Sequence, residues 1–292
     1  MIDLSRLQSP IIIEGNARYA YRDPAVIYHD GVFYLFFTVA IFEDDQFYAR
    51  LGLITSRDLI HWSEIEYLSL LDPEINLCGP GNIIRFERQW VLCASLYPTP
   101  EKGRYGGNEN SRATILRSDD LRHWGEPEVL QLREHMGRTI DPFLMEDVRE
   151  KGKWWCLYKF EFTGVSYSSS YDLRTWKYEG IVKGQHFENA CAVHKDNYVY
   201  LMYSPENGME IKRTRDMENW EGVARTTLGQ EQWHWAQRRI TAGFILEIDR
   251  PDVPRYLMFF HGSRHCATPA THSMANLALC WSDDLLHWHW PG

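Results

Sequence analysis

Nearly the same seven-residue phrase is written five times along this chain, and that count of five does most to limit its fold. The copies are Ser56-Arg-Asp-Leu-Ile-His-Trp62, Ser118-Asp-Asp-Leu-Arg-His-Trp124, Ser170-Tyr-Asp-Leu-Arg-Thr-Trp176, Thr214-Arg-Asp-Met-Glu-Asn-Trp220 and Ser282-Asp-Asp-Leu-Leu-His-Trp288. They recur at intervals of 44 to 68 residues with no helical periodicity between them. Repetition on that scale marks radially arranged sheet units. Five copies therefore predict an all-β, five-bladed β-propeller with four-stranded antiparallel blades around a central axis. Such a fold has one axial pocket, so function is sought among the side chains that point into it.

With five repeats in 292 residues, the chain reads as one domain spanning 1–292 with no linker. A composition of 44% hydrophobic and 24% charged residues supplies a large core and argues against disorder. Net charge is −9 and no basic stripe is present, so nucleic acid is not an expected partner. No apolar run approaches the roughly 18 residues of a membrane span, so no membrane partner is expected. The amino terminus lacks a basic start followed by an apolar stretch. A cytoplasmic location is the expectation, or a secreted or periplasmic one if a signal peptide has been removed. The six cysteines, Cys78, Cys93, Cys156, Cys191, Cys266 and Cys280, show no paired spacing and are expected mostly as buried thiols. Nothing in the sequence bears on oligomeric state.

Each repeat divides into short strands. In the first, Pro24–His29 and Val32–Thr38 flank Asp30-Gly31, a dipeptide suited to the positive φ angles of a tight hairpin. Leu51–Ser56 makes the third strand and the chain after Trp62 the fourth. The same grammar predicts inner hairpins from Ile83–Phe86 with Trp90–Leu96, Pro142–Met145 with Trp154–Phe160, Ala190–His194 with Tyr198–Ser204, and Gly243–Ile248 with Tyr256–His261. In the repeated phrase the Asp is expected to bond nearby backbone N–H groups, the Leu or Met to anchor the turn inward, and the Trp to pack between sheets. The last blade ends near the carboxyl terminus, so Pro10–Glu14 is expected to complete it and cover an open edge.

Three acidic residues take comparable places before or at the start of their first strands: Asp23 in Arg22-Asp-Pro24, Asp141 in Ile140-Asp-Pro142, and Glu188 in Phe187-Glu-Asn-Ala190. First strands line a propeller axis, so the three would share one pocket, where repulsion and partial desolvation spread their pKa values. Blade two has Gly79-Pro-Gly-Asn82 there and blade five has His234-Trp-Ala-Gln-Arg238, so the acid is no part of the folding grammar. Two roles are open to such a group of acids: an Asp before Pro that merely starts a strand, or a set of carboxylates for acid–base chemistry.

The run Arg22-Asp-Pro-Ala-Val-Ile-Tyr-His-Asp-Gly-Val-Phe-Tyr-Leu35, with Ile140-Asp-Pro-Phe143, Phe187-Glu-Asn-Ala190 and the Ser-x-Asp-Leu-x-x-Trp units, resembles the five-bladed glycoside hydrolases of family 43 and its neighbours. The resemblance covers nearly the whole chain and implies a glycosidase. It implies Asp23 as general base, Asp141 as the residue that tunes and orients, and Glu188 as general acid. Members commonly carry Glu-Gly-Pro around the acid, whereas this chain has Glu188-Asn189-Ala190, which points to a divergent branch. An inverting reaction needs a protonated and an ionised carboxyl roughly 6.5–9.5 Å apart. Glu188 would need a raised pKa, which a nearby ionised Asp141 and an aromatic wall would supply. Arg22 or a blade-five arginine would keep Asp23 ionised.

For the rest of the pocket, Trp233 and Trp235 are candidates to stack on a sugar face, although Trp at alternating spacing is as often core. His234 and His261 are candidates to reach the axis, where some related enzymes hold a water-coordinated calcium beside a blade-five histidine. No cofactor is required by the chemistry. Arg22, Arg238, Arg239 and Arg264 could bind sugar hydroxyls or an acidic group, and Asn82 and Asn189 could meet hydroxyls. The insertions from Pro98 to Arg112 and from Gly262 to Met274 are expected to narrow the mouth and favour removal of end units.

The leading expectation is an inverting, exo-acting glycosidase releasing arabinofuranosyl, xylosyl or galactosyl units from a carbohydrate substrate. The alternatives are a retaining fructosidase, a glycoside phosphorylase and a non-catalytic glycan-binding propeller. Zinc, nucleotide and serine-hydrolase motifs are lacking.

Overall fold

Five antiparallel sheets, joined in chain order, make up the computed structural model of this protein. It describes residues 2–43, 46–69, 75–98, 108–135, 137–161, 164–182, 187–226, 228–264 and 274–291. Blade one runs outward through Tyr19–His29, Val32–Glu43, Gln46–Ser56 and Glu66–Tyr67, and blade three through Thr139–Glu146, Trp154–Phe160, Val165–Ser170 and Lys177–Val182. Blade four follows with Glu188–Lys195, Tyr198–Ser204, Met209–Thr214 and Glu221–Thr226. In blade two the inner strand is split into Ile75–Cys78 and Ile83–Phe86, both paired with Gln89–Pro98, and Arg112–Ser118 and Glu128–Val129 lie outside. Blade five consists of Arg239–Glu247, Tyr256–Ser263 and Asn276–Ser282, completed by Ile11–Ile13 from the start of the chain. The ring is therefore closed by the lead-in segment, as the sequence predicts. The inner strands of neighbouring blades lie against one another around the axis. Among the described residues no helix is long and apolar enough to cross a membrane.

The repeated phrase forms the same turn in every blade. In the first, Ser56 Oγ accepts the N–H groups of Asp58 and Leu59, and Asp58 Oδ1 accepts those of Ile60 and His61. The apolar residue at its centre adopts left-handed backbone in all five copies, with φ of 67° at Leu59, 66° at Leu121, 56° at Leu173, 67° at Met217 and 74° at Leu285. Each of these five side chains is buried. The conformation is costly for any residue with a Cβ, and the side-chain-to-backbone hydrogen bonds together with burial of the apolar group offset the cost.

Middle strands of a blade are covered on both faces by neighbouring blades, so they read as continuous apolar runs rather than alternating ones. Leu35, Phe36 and Phe37 are all fully buried. The five described cysteines are buried free thiols, and burial pushes Cys93 and Cys191 up to about 12, which leaves them unreactive.

Candidate active site

Every inner strand breaks its ladder at the same place. The register slips between Arg22 and Ala25, Ile140 and Phe143, Glu188 and Cys191, and Thr241 and Phe244, and in blade two the strand splits there. At each break one residue takes positive φ: Asp23 at 50°, Gly79 at 57°, Asp141 at 54°, Asn189 at 50° and Ala242 at 54°. Asp, Asn and Gly tolerate that conformation better than other residues. Such bulges re-aim side chains, and the five segments together line one axial cavity. Gly81 is also in this lining, and a side chain is excluded there because a Cβ would lie 1.5 Å from the Pro142 carbonyl oxygen.

Asp23 and Asp141 are thus true equivalents inside their strands rather than at the strand starts. Glu188 is not: the equivalent residue of blade four is Asn189, and Glu188 stands one position earlier, in line with Arg22, Cys78, Ile140 and Thr241. Asp23, Asp141 and Asn189 line the cavity, and Glu188 does not.

A second ring stands across from the first. The residues opposite Arg22, Cys78, Ile140, Glu188 and Thr241 are Thr38, Ser95, Lys159, Ser204 and His261. Four of these five accept the N–H of the bulge residue in the next blade. Gly79 donates to Thr38 Oγ1 at 2.7 Å, Asp141 to Ser95 Oγ at 3.0 Å, Ala242 to Ser204 Oγ at 2.7 Å, and Asp23 to His261 Nδ1 at 3.2 Å. The Thr38 hydroxyl also donates to Asp23 Oδ2 at 3.0 Å. Lys159 has no lone pair to offer, so the Asn189 N–H turns to Asp141 Oδ2 at 3.4 Å. Lys159 instead meets Glu188 Oε1, while Arg239 Nη2 meets Oε2 at 3.1 Å.

These partners set the electrostatics. Burial pushes Asp141 up to about 6, assisted by the charges of Glu188 and Asp23 and opposed by Lys159 and Arg138. For Glu188, burial alone would raise the carboxyl, but Lys159, Arg239 and Arg22 outweigh it and bring it down to about 2. The sequence led us to expect a raised Glu188. The shift runs the other way because cations, rather than an aromatic wall, surround it.

Several candidates make contacts within the fold itself. Asn82 spends its whole amide on blade three: its Nδ2 donates to the Leu144 carbonyl at 2.7 Å and its Oδ1 accepts the Leu144 N–H at 2.9 Å. Trp233 and Trp235 stack on each other with centroids 5.1 Å apart and pack on Phe260, and Trp290 meets Trp233 edge-on. Both are half-buried and lie outside the cavity lining. His234 is exposed on the turn before the blade-five inner strand, and Arg238 is likewise exposed. Arg264 pairs with Glu14 at 3.1 Å. Arg22 stays close to the site, its Nε 3.4 Å from His261 Nε2. Most of the two expected mouth insertions, including Cys266, lies outside the described residues. Both His261 ring nitrogens face groups of this chain, and no cluster of three or more His, Cys, Asp or Glu gathers among the described residues.

Lys159 was not singled out from the sequence, although a signal was present. The opposing ring residues sit in Phe37-Thr38, Ala94-Ser95, Tyr158-Lys159, Tyr203-Ser204 and Phe260-His261, and aligning these pairs exposes the odd cation.

Comparison with known proteins adds the fold's relatives. No family model matches the chain, and no curated protein does. Among solved structures, the catalytic domain of a family 62 α-L-arabinofuranosidase from Coprinopsis cinerea superposes with a TM-score of 0.68 at 15% identity, covering 92% of this chain and 94% of that one. An exo-1,5-α-L-arabinanase from a bovine ruminal metagenomic library gives 0.64 at 15% identity over 94% and 98%. A family 43 endo-arabinanase from Bacillus licheniformis gives 0.65 at 15% identity over 95% and 99%. This chain has the five-bladed propeller fold of those glycosidases.

Proposed function

We propose that this protein is a glycoside hydrolase whose bond cleavage takes place at the axial cavity. The observation that carries the reading is the placement of Asp23 and Asp141, from non-adjacent blades, at equivalent bulges facing one cavity, with Glu188 beside them. Nothing in the fold requires an acid at those bulges, since blades two, four and five place Gly79, Asn189 and Ala242 there. Asp23, fixed by the Thr38 hydroxyl, is the base that takes a proton from the attacking water. Asp141 and Glu188 are the adjacent carboxyls that govern the proton delivered to the leaving group.

The reaction we propose is inverting and exo-acting, releasing a terminal arabinofuranosyl, xylosyl or galactosyl unit. The structural relatives include both an exo- and an endo-arabinanase, so product length is the discriminating measurement.

A panel of aryl glycosides and plant oligosaccharides, assayed with and without added phosphate, tests the reading. Asp23→Asn should lower kcat/KM by roughly 100- to 10,000-fold with the fold retained, since Asn suits positive φ. A folded Asp23→Asn protein with full activity would overturn the assignment. NMR of the first-formed anomer separates inversion from retention.

A further inference from the structure

The three carboxylates differ in what holds them. Both oxygens of Glu188 are ion-paired, one to Lys159 and one to Arg239, and Arg22 adds its charge. Adding a proton to Glu188 means giving up one of those pairs. Asp141 has no ion pair among the described residues. It takes one weak N–H contact from Asn189 and lines the cavity that Asp23 also lines.

Lys159 makes the contrast more pointed. In the other four blades its ring position holds an acceptor that stitches one blade to the next, and a hydroxyl would fold just as well here. The lysine forgoes that stitch, and its side chain, 9% exposed, forms an ion pair with Glu188 and with no other described acid. A residue that departs from a folding rule at the site of interest calls for a functional reason.

We propose that Asp141, not Glu188, donates the proton to the leaving group, and that Lys159 is the positioning residue that keeps Glu188 ionised beside it. This rests on the hydrolase reading of the same site. As the anomeric C–O bond breaks, the Asp141 O–H proton passes to the departing oxygen. The attacking water bonds to the anomeric carbon and loses its proton to Asp23. One water is consumed, and exchange with solvent returns Asp141 to the acid and Asp23 to the base. The groups facing Asp141 are Asp23 from blade one, Arg138 and Lys159 from blade three and Glu188 from blade four; burial and the two carboxylates, against the pull of the two cations, push its carboxyl up to about 6.

The test compares glycosides with a poor leaving group and with a dinitrophenyl group that departs unprotonated. Asp141→Asn should lose roughly 100-fold or more in kcat/KM on the poor leaving group, keep most activity on the dinitrophenyl glycoside, and lose the alkaline limb of its pH profile. Glu188→Gln should show no such selectivity, and its alkaline midpoint should fall below about 6, because the anion that raises Asp141 is gone. Selective loss in Glu188→Gln, with Asp141→Asn indifferent to leaving group, would overturn the inference. Wild-type protein that turns over no glycoside would sink the hydrolase reading instead. The proton assignment then stands or falls on carboxyl NMR titration of the wild type and Lys159→Ser. Asp141 must titrate above Glu188 in the wild type, and Glu188 must rise in the variant; the reverse order, or an unmoved Glu188, refutes it.

Discussion

Four junctions between blades follow one rule and the junction from blade three to blade four breaks it. At the four, a buried Thr, Ser or His accepts a bulge N–H from the next blade, and the result is a repeated polar stitch around the axis. At the fifth, Lys159 turns to Glu188 and the stitch passes to the Asp141 carboxylate. The lesson is that repetition in a propeller separates what the fold needs from what has been added to it. A hydroxyl satisfies the backbone with little electrostatic consequence, whereas a buried lysine requires an anion, and the anion then acts on every carboxyl nearby.

The comparison can be broken by moving the residues. Ser204→Lys places a cation at the blade-four junction, where Ala242 loses its acceptor and Thr241 stands where an acid would be needed. It should destabilise the protein by about 3 kcal/mol or more, since it buries an unpaired charge. Lys159→Ser does the opposite, installing the residue that blades two and four already use, and should cost less, about 1–2 kcal/mol, because the new hydroxyl can take up the Asn189 N–H while Glu188 keeps its pair with Arg239. Urea denaturation of the two variants checks the asymmetry, and equal costs would mean that Lys159 belongs to the folding rule after all.

Asp141 sharpens the same contrast through pH. Its carboxyl is raised in the folded state from 3.8 to about 6, so its contribution favours folding below the unfolded value and is lost as pH rises through about 6. Above that pH an ionised Asp141 opposes folding. Asp141→Asn removes the charge, keeps a side chain that tolerates positive φ, and should stabilise the protein at pH 8 by about 1–3 kcal/mol, with little effect at pH 4. Thermal melts of both proteins at the two pH values measure the difference. A variant less stable than wild type at pH 8 would contradict the burial argument. Loss of activity paired with gain of stability is the pattern of a strained functional site.

How much of this was legible beforehand depended on distance along the chain. The turn phrase is local: Ser56, Asp58 and Leu59 bond within a few residues, so its role could be read directly and the five blades counted. Asp23 and Asp141 were visible because Asp-Pro is a conspicuous pair. Glu188 was seen but placed one residue out of register, because a bulge changes the alternation of a strand and Asn189, not the acid, carries the positive φ. The stitching ring stayed hidden because its members serve backbone groups in another blade, tens of residues away. Trp233 and Trp235 could not be resolved by spacing alone, since a stacked core pair and a sugar platform have the same alternation.

The smallest effect belongs to the outer turns, where all five blades are alike. Asp120 accepts the N–H groups of Arg122 and His123, and its Oδ2 lies 2.6 Å from His123 Nδ1. These bonds hold its carboxyl well below the usual range, so its stabilisation is present above the unfolded value and is lost as pH falls toward the depressed folded one. The group is largely exposed, which screens the charge. Asp120→Ala should therefore cost only about 1 kcal/mol, most of it from unbonded N–H groups at a turn whose Leu121 is held at positive φ. The equivalent changes at Asp58 and Asp284, where histidine is again the partner, should cost about the same. Urea midpoints for the three variants check the claim. A cost well above that of its equivalents at any one turn would mean that this turn, like the junction at Lys159, has acquired a task beyond folding.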